Sequence, residues 1–241
     1  MSLLHSTRTV RPRPAAWAAR PTVIAWAIVL VGGHERKAWG GIFPDIDVDL
    51  NRRHVVVVAE EDHAAADLKA LKPFIKEYQP VMVGVGAGAD TLMKAGYKPS
   101  IIVGDPETMK TPTLKSGAQL VLPADTDGHA TGLERIQDLG IGATTFPAAG
   151  SAGDLALLLT DYHGADLIVT VGYPGSLDDF FDRSRRESNP SMFLTRLKVG
   201  QKLVDAKAVA TLYRSRVSGA AIACVVLAAL VAVIAAVLLS N

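Results

Sequence analysis

Two carboxylates stand just beyond an apolar run in "IIVGDPETM" (101–109), Asp105 and Glu107, with Gly104 and Pro106 beside them. Acids at the end of a buried strand suit metal–phosphate chemistry, because Mg²⁺ takes oxygen ligands and bridges phosphate oxygens. The competing reading is a proline turn that opens a helix. Two further clusters have the same character. In "GVGAGAD" (84–90), the glycines Gly84, Gly86 and Gly88 would let a backbone approach phosphates, with Asp90 close behind. In "PADTDGHA" (123–130), Asp125 and Asp127 precede an expected helix, which Asp127 could instead simply cap. The candidate metal ligands are Asp105, Glu107 and Asp127, and Asp105 and Glu107 are the candidate catalytic pair. The candidate nucleotide contacts are Gly84, Gly86, Gly88, Asp90, Thr108, Asp125 and Asp127. The implied cofactor is Mg²⁺, bridging the phosphates of a nucleotide.

The same letters admit a dinucleotide-binding reading. Gly84, Gly86 and Ala89 satisfy G-x-G-x-x-A, and Asp105 follows about 20 residues on, where a ribose-binding acid would stand. The short helix expected after the glycines, interrupted by Gly96, argues against it.

The elements that must position these residues are regular from Asp45 onward. Strands are expected at 54–60, 81–86, 100–105, 118–124, 143–149 and 165–173, each nearly continuous in apolar residues. Helices are expected at 62–78, with Pro73 as a kink or restart, and at 89–96, 129–140 and 151–164. Gly140 would close the third of these and Ser151 would cap the fourth. A further helix is expected at 176–187, while 196–214 reads equally as strands or helix. Apolar strands alternating with helices predict an α/β domain over 43–213, a mostly parallel sheet with helices on both faces. Ligands of such sheets bind outside the carboxyl ends of the strands, where all three clusters fall.

The 241 residues carry a net charge of +1, so no global field favours nucleic acid. Cys224 is the only cysteine and excludes an intrachain disulfide. The 49% hydrophobic content is high because of Val217–Leu239, a run without one charge. As a helix it would measure about 34 Å, enough to span a hydrocarbon core of about 30 Å. Residues 214–241 therefore read as a single-pass anchor in the cell membrane. Arg214 and Arg216 precede the run and no Lys or Arg follows it, which places the bulk of the chain in the cytoplasm. Within the run, Ala220, Cys224, Ala228, Ala232 and Ala236 form a small-residue row on which a second copy could pack as a homodimer. Residues 1–42 hold arginines and an apolar run too short to span comfortably, and read as an atypical, poorly structured leader.

"GAGADTLMKAGYKPSIIVGDPETM", with "LPADTDGHATGLERI" after it, resembles the nucleotide-binding half of thiamine pyrophosphokinases. The blocks "IKEYQPVMVGVGAGAD", "TFPAAGSAGDLALLL" and "SNPSMFLTRLKVGQKLVDAKAVATLYR" resemble the actinobacterial SteA family of septation proteins. That resemblance implies a thiamine-pyrophosphokinase-like cytoplasmic domain, a membrane anchor, and a role in cell division with a membrane-protein partner. It also implies a further N-terminal domain and a tail, so this chain would be a shortened version. Active pyrophosphokinases carry an aspartate where Gly86 stands. Glu107 and Thr108 replace the second Asp and the Ser of their Gly-Asp-x-Asp-Ser motif. Nothing after Tyr173 matches their β-rich thiamine-binding domain. The expected role is thus a scaffold or nucleotide-sensitive regulator. Mg²⁺-dependent pyrophosphate transfer from ATP is the enzymatic alternative, in which metal electrostatics would dominate. With Arg214 and Arg216 inside, a reporter fused after Asn241 is expected outside the membrane. Cytoplasmic reporter activity would overturn the topology.

Overall fold

The computed structural model describes residues 43–125, 129–148, 150–173, 190–214, 223–230 and 237–238. The expected leader, the helix expected at 176–187, Asp127 and most of the apolar run lie outside these residues. The chain order is β1 (His54–Val58), α1 (Ala64–Ala70), α2 (Lys72–Tyr78), β2 (Val81–Val85), α3 (Gly88–Lys94) and β3 (Ile101–Val103). A 3₁₀ turn (Pro106–Thr108) follows, then α4 (Thr111–Leu114), β4 (Gln119–Ala124), α5 (Leu133–Asp138), β5 (Ala143–Pro147) and α6 (Ala152–Tyr162). The series closes with β6 (Leu167–Val171), α7 (Pro190–Val199), β7 (Leu203–Asp205) and α8 (Ala206–Arg214).

The seven strands form one sheet in the order β5-β4-β3-β2-β1-β6-β7, and every pairing is parallel. The expected α/β class is therefore found. The inner strands β1, β2, β3 and β6 are buried on both sides because both faces are covered, whereas the edge strands β5 and β7 are only partly buried. Val55, Val57, Val83 and Ile168 point into a core shared with Leu155 and Leu159 of α6. Their neighbours Val56, Val58, Met82 and Val169 face Leu68 of α1, Phe74 of α2 and Val209 of α8. Helix α6 is buried throughout Asp154–Thr160 because α7 covers its outer side. Its leucines contribute about 1.5–3 kcal/mol each on burial.

Several boundaries differ from expectation for local reasons. The helix expected at 62–78 is two, meeting at Leu71, and Pro73 lies in the first turn of the second, where its missing N–H costs nothing. The helix expected from 129 begins only at Leu133. Ala130 instead bridges back to Ala124, and the N-cap is Gly132 at φ +75°, not Asp127. Gly140, at φ +67°, follows the C-cap as expected. The ambiguous 196–214 stretch divides into the end of α7, the edge strand β7 and α8. Among the described residues no helix is long and apolar enough to cross a membrane. Residues 223–230, within the apolar run, are helical and exposed.

Helix α8 lies against α1 and α2. Desolvation at this seam raises the Asp67 carboxyl above the ordinary 3.8; Lys207 opposes the shift and Asp205 adds to it. A raised acid favours folding in its protonated form. That contribution is complete below 3.8 and disappears as pH rises through the folded-state value. Asp67→Asn, neutral at every pH, is therefore expected to melt above the parent at neutral pH. The gap should close on acidification below the ordinary carboxyl pKa, as followed by thermal melts across pH. A gap that widened on acidification would contradict the assignment.

Candidate functional site at the carboxyl edge

Three loops meet beyond the ends of β2 and β3. The chain leaves β2 through Gly86 at φ +50°, and the Gly86 amide donates to Val103 O at 2.9 Å. This bond draws the turn onto Gly104, whose φ is +143°. A Cβ built on Gly104 would lie 3.0 Å from Gly86 N and 3.7 Å from Ala152 Cβ. The first turn of α6 therefore closes the third side. Ser151 caps that helix by accepting from Asp154 N at 3.1 Å. The positive end of an 11-residue helix thus borders the same edge.

Asp105 follows Gly104 and caps the 3₁₀ turn, its Oδ1 accepting from Glu107 N at 2.9 Å. Thr108 Oγ1 donates to Asp105 O at 2.7 Å and lies 3.4 Å from where a Gly86 Cβ would stand. Gly132, ahead of α5, passes so close that a Cβ there would be 2.8 Å from Asp105 Oδ1. Asp105, Thr108 and Gly86 are thereby brought together. Glu107 is nearby but exposed, with Oε2 3.7 Å from Arg135 Nη1. An ion pair this open to water contributes less than about 1 kcal/mol.

The other expected residues have different surroundings. Gly84 sits inside β2 and Gly88 opens α3. Their missing side chains admit Ala89, whose Cβ is 2.5 Å from a Gly84 Cβ position, and Val58 O, 2.2 Å from that of Gly88. Both glycines seat α3 on the sheet. Since Gly84 is not in the turn, the dinucleotide fingerprint lacks its first turn glycine. Asp90 is buried, and its carboxylate accepts from Lys110 N at 3.2 Å and from Thr113 Oγ1. It braces the loop that carries Asp105. Asp125 is exposed beyond β4, its amide donating to His129 O at 2.8 Å.

Arg135 is the residue that sequence reasoning missed. From α5 it donates to Pro106 O at 2.5 Å and Met109 O at 3.0 Å, fastening both ends of the 3₁₀ turn. No spacing marks an arginine that will meet a loop so far back in the chain. The first turn of α6 was visible as a cap, though not as part of this edge.

Among the described residues no group of three or more His, Cys, Asp or Glu is gathered closely enough to hold a metal ion. Mg²⁺ does not require one. It keeps several waters and binds through one or two carboxylates plus substrate phosphates. A half-buried Asp105 with Glu107 two residues on fits that donor set.

Residues 207–241 match the family described as the SteA-like C-terminal domain. No curated protein matches the chain. Among solved structures, the thiamin pyrophosphokinase of Geobacillus thermodenitrificans is similar over 63% of this chain and 58% of its own, at 18% identity and a TM-score of 0.36. A protein from Lactobacillus plantarum is similar over 58% of this chain and 57% of its own, at 20% identity and a TM-score of 0.31. This chain thus spans less than two thirds of either.

The brace predicts its own phenotype. Asp90→Ala would leave the Lys110 amide and the Thr113 hydroxyl without their acceptor, at a cost of about 1–3 kcal/mol. Hydrogen exchange is expected to rise across 105–114 while strands β1 and β2 stay protected. Unchanged exchange in that loop would remove the bracing role.

Proposed function

We propose that this chain is a membrane-tethered α/β domain that binds nucleotide phosphates together with Mg²⁺ and acts as a scaffold or regulator in cell division. The observation that carries the binding half is the convergence of Gly86, Gly104, Asp105, Thr108 and the first turn of α6 at one edge. The septation half rests on the family resemblance, which the match over 207–241 supports.

In this reading Asp105 and Glu107 would hold the metal and waters would complete its shell, since Asp125 is not gathered with them. Bound Mg²⁺ supplies positive charge against the phosphate oxygens. The backbone amides of Ala87 and Ala152 would receive the remaining oxygens, joined by the Thr108 hydroxyl if it turns its hydrogen away from Asp105 O. Asp90 and Arg135 keep the Asp105 loop in register. Glu107 favours binding over turnover: its side chain is 60% exposed and drawn toward Arg135, and misplacement of a reacting group by about 1 Å costs about 100-fold in rate.

Titration of Mg²⁺–ATP into the full chain in detergent, parent against Asp105→Asn, tests the proposal. The amide keeps an oxygen for the Glu107 N–H, so the melting temperature should hold. Affinity should fall at least about tenfold, or 1.4 kcal/mol. Equal affinities would remove Asp105 from the site, and ATP turnover by the parent would favour the transferase reading.

A further inference from the structure

We infer that the amino edge of the sheet is a docking face for an anionic membrane surface, so that the carboxyl-edge site points away from the bilayer. The inference rests on the membrane tether proposed above, and its physical content comes from the path of α8.

Helix α8 starts directly after β7, at the carboxyl edge, where Lys207 lies near enough to Asp67 to affect its carboxyl. It ends at the opposite edge. The Tyr213 ring is 5.8 Å from Phe74 and 6.4 Å from Tyr78. Tyr78 is the last residue of α2 and is itself 4.9 Å from His54, the first residue of β1. Arg214 therefore leaves the domain at the amino edge.

Only Ser215 and Arg216 separate Arg214 from the apolar run that starts at Val217. Three Cα–Cα steps reach at most about 11 Å when fully extended. The interfacial layer on each side of a bilayer is itself about 6 Å deep. A domain held this closely has its amino edge at the headgroups.

The chemistry of that edge suits such contact. Arg52, Arg53, Lys76, Lys94, Lys98 and Lys115 are exposed on loops and helix ends there. Glu77 and Asp138 offset them on the α8 face. Of the remaining acids of this edge, Asp45, Asp47 and Asp49 follow Pro44, whose carbonyl meets His163 beyond α6, and Asp161 pairs with Lys202 at 2.7 Å; Asp166 stands beside Arg53, its amide donating to Arg53 O. Each basic residue near an anionic surface contributes about 1 kcal/mol of attraction. Tyr78 is 44% exposed and Leu212 is 71% exposed at the same end of α8. Tyrosine is enriched at membrane interfaces, where its ring and hydroxyl are both accommodated. The carboxyl edge exposes the acids Glu60, Asp62, Glu107 and Asp125 against the exposed Lys110 and Lys207, so the same lipids would attract it less.

The test uses the full chain, Cys224→Ala, in vesicles of phosphatidylcholine with or without phosphatidylglycerol, carrying headgroup quenchers. A fluorophore is placed at Asn51→Cys or Ala95→Cys on the amino edge, and at Glu60→Cys or Thr131→Cys on the carboxyl edge. Quenching is expected to be several-fold stronger at 51 and 95, and to weaken there when phosphatidylglycerol is omitted. Equal or reversed quenching in chains that float with the vesicles overturns the orientation alone. Quenching at 51 and 95 indifferent to phosphatidylglycerol overturns recognition by charge. Chains that do not float overturn the tether and this inference with it.

Discussion

Parallel strands cannot be joined by a tight hairpin, and this constraint governs the whole domain. Each strand must return to its starting edge before the next begins, and the return is made by helix laid across one face. All strands therefore end at one edge, where the helices begin. Glycine turns, carboxylates and helix N-termini gather there without any residue being placed for function. At the opposite edge helices end and strands begin. The last helix, α8, obeys the same rule and delivers the chain to that second edge. A binding edge and an attachment edge thus follow from one topology.

Within this frame the site loop is not held by the sheet alone. β3 has three residues and ends at Val103, after which the chain must make a turn around two acids. Asp90 anchors the chain just past that turn from α3, and Arg135 fastens both ends of it from α5. Both are charged groups spent on backbone and hydroxyl partners. Such bonds are stronger than neutral ones, and a buried carboxylate like Asp90 requires them. Glu107 lies outside this bracing, exposed beside Arg135, which distinguishes it from Asp105 two residues earlier.

The close approach of α3 has a comparable cause. Gly84 and Gly88 leave room for Ala89 and for the carbonyl of Val58, so the helix sits against the ends of β1 and β2. Their spacing looks like a phosphate loop because the same property, absence of Cβ, serves both purposes. Gly86 alone of the three lies in the turn and faces Thr108.

The sequence alone sufficed for the α/β class and for most of the helix–strand order, because strands buried on both faces read as unbroken apolar runs between helical stretches. It also sufficed to bring Gly86, Asp105 and Thr108 to one edge, since residues just past strand ends must collect there. It did not distinguish Gly84 and Gly88 from Gly86, because their difference is a helix–sheet distance that no local pattern encodes. Arg135 and the inward turn of Asp90 were equally hidden, for each meets its partners across 20 residues or more of chain. The start of α5 at Leu133 reflects a short-range bridge from Ala130 back to Ala124, which keeps 129–130 out of the helix. The direction of α8 was likewise beyond the sequence. Only the contact of Tyr213 with Phe74 and Tyr78 fixes the edge at which the chain leaves the domain.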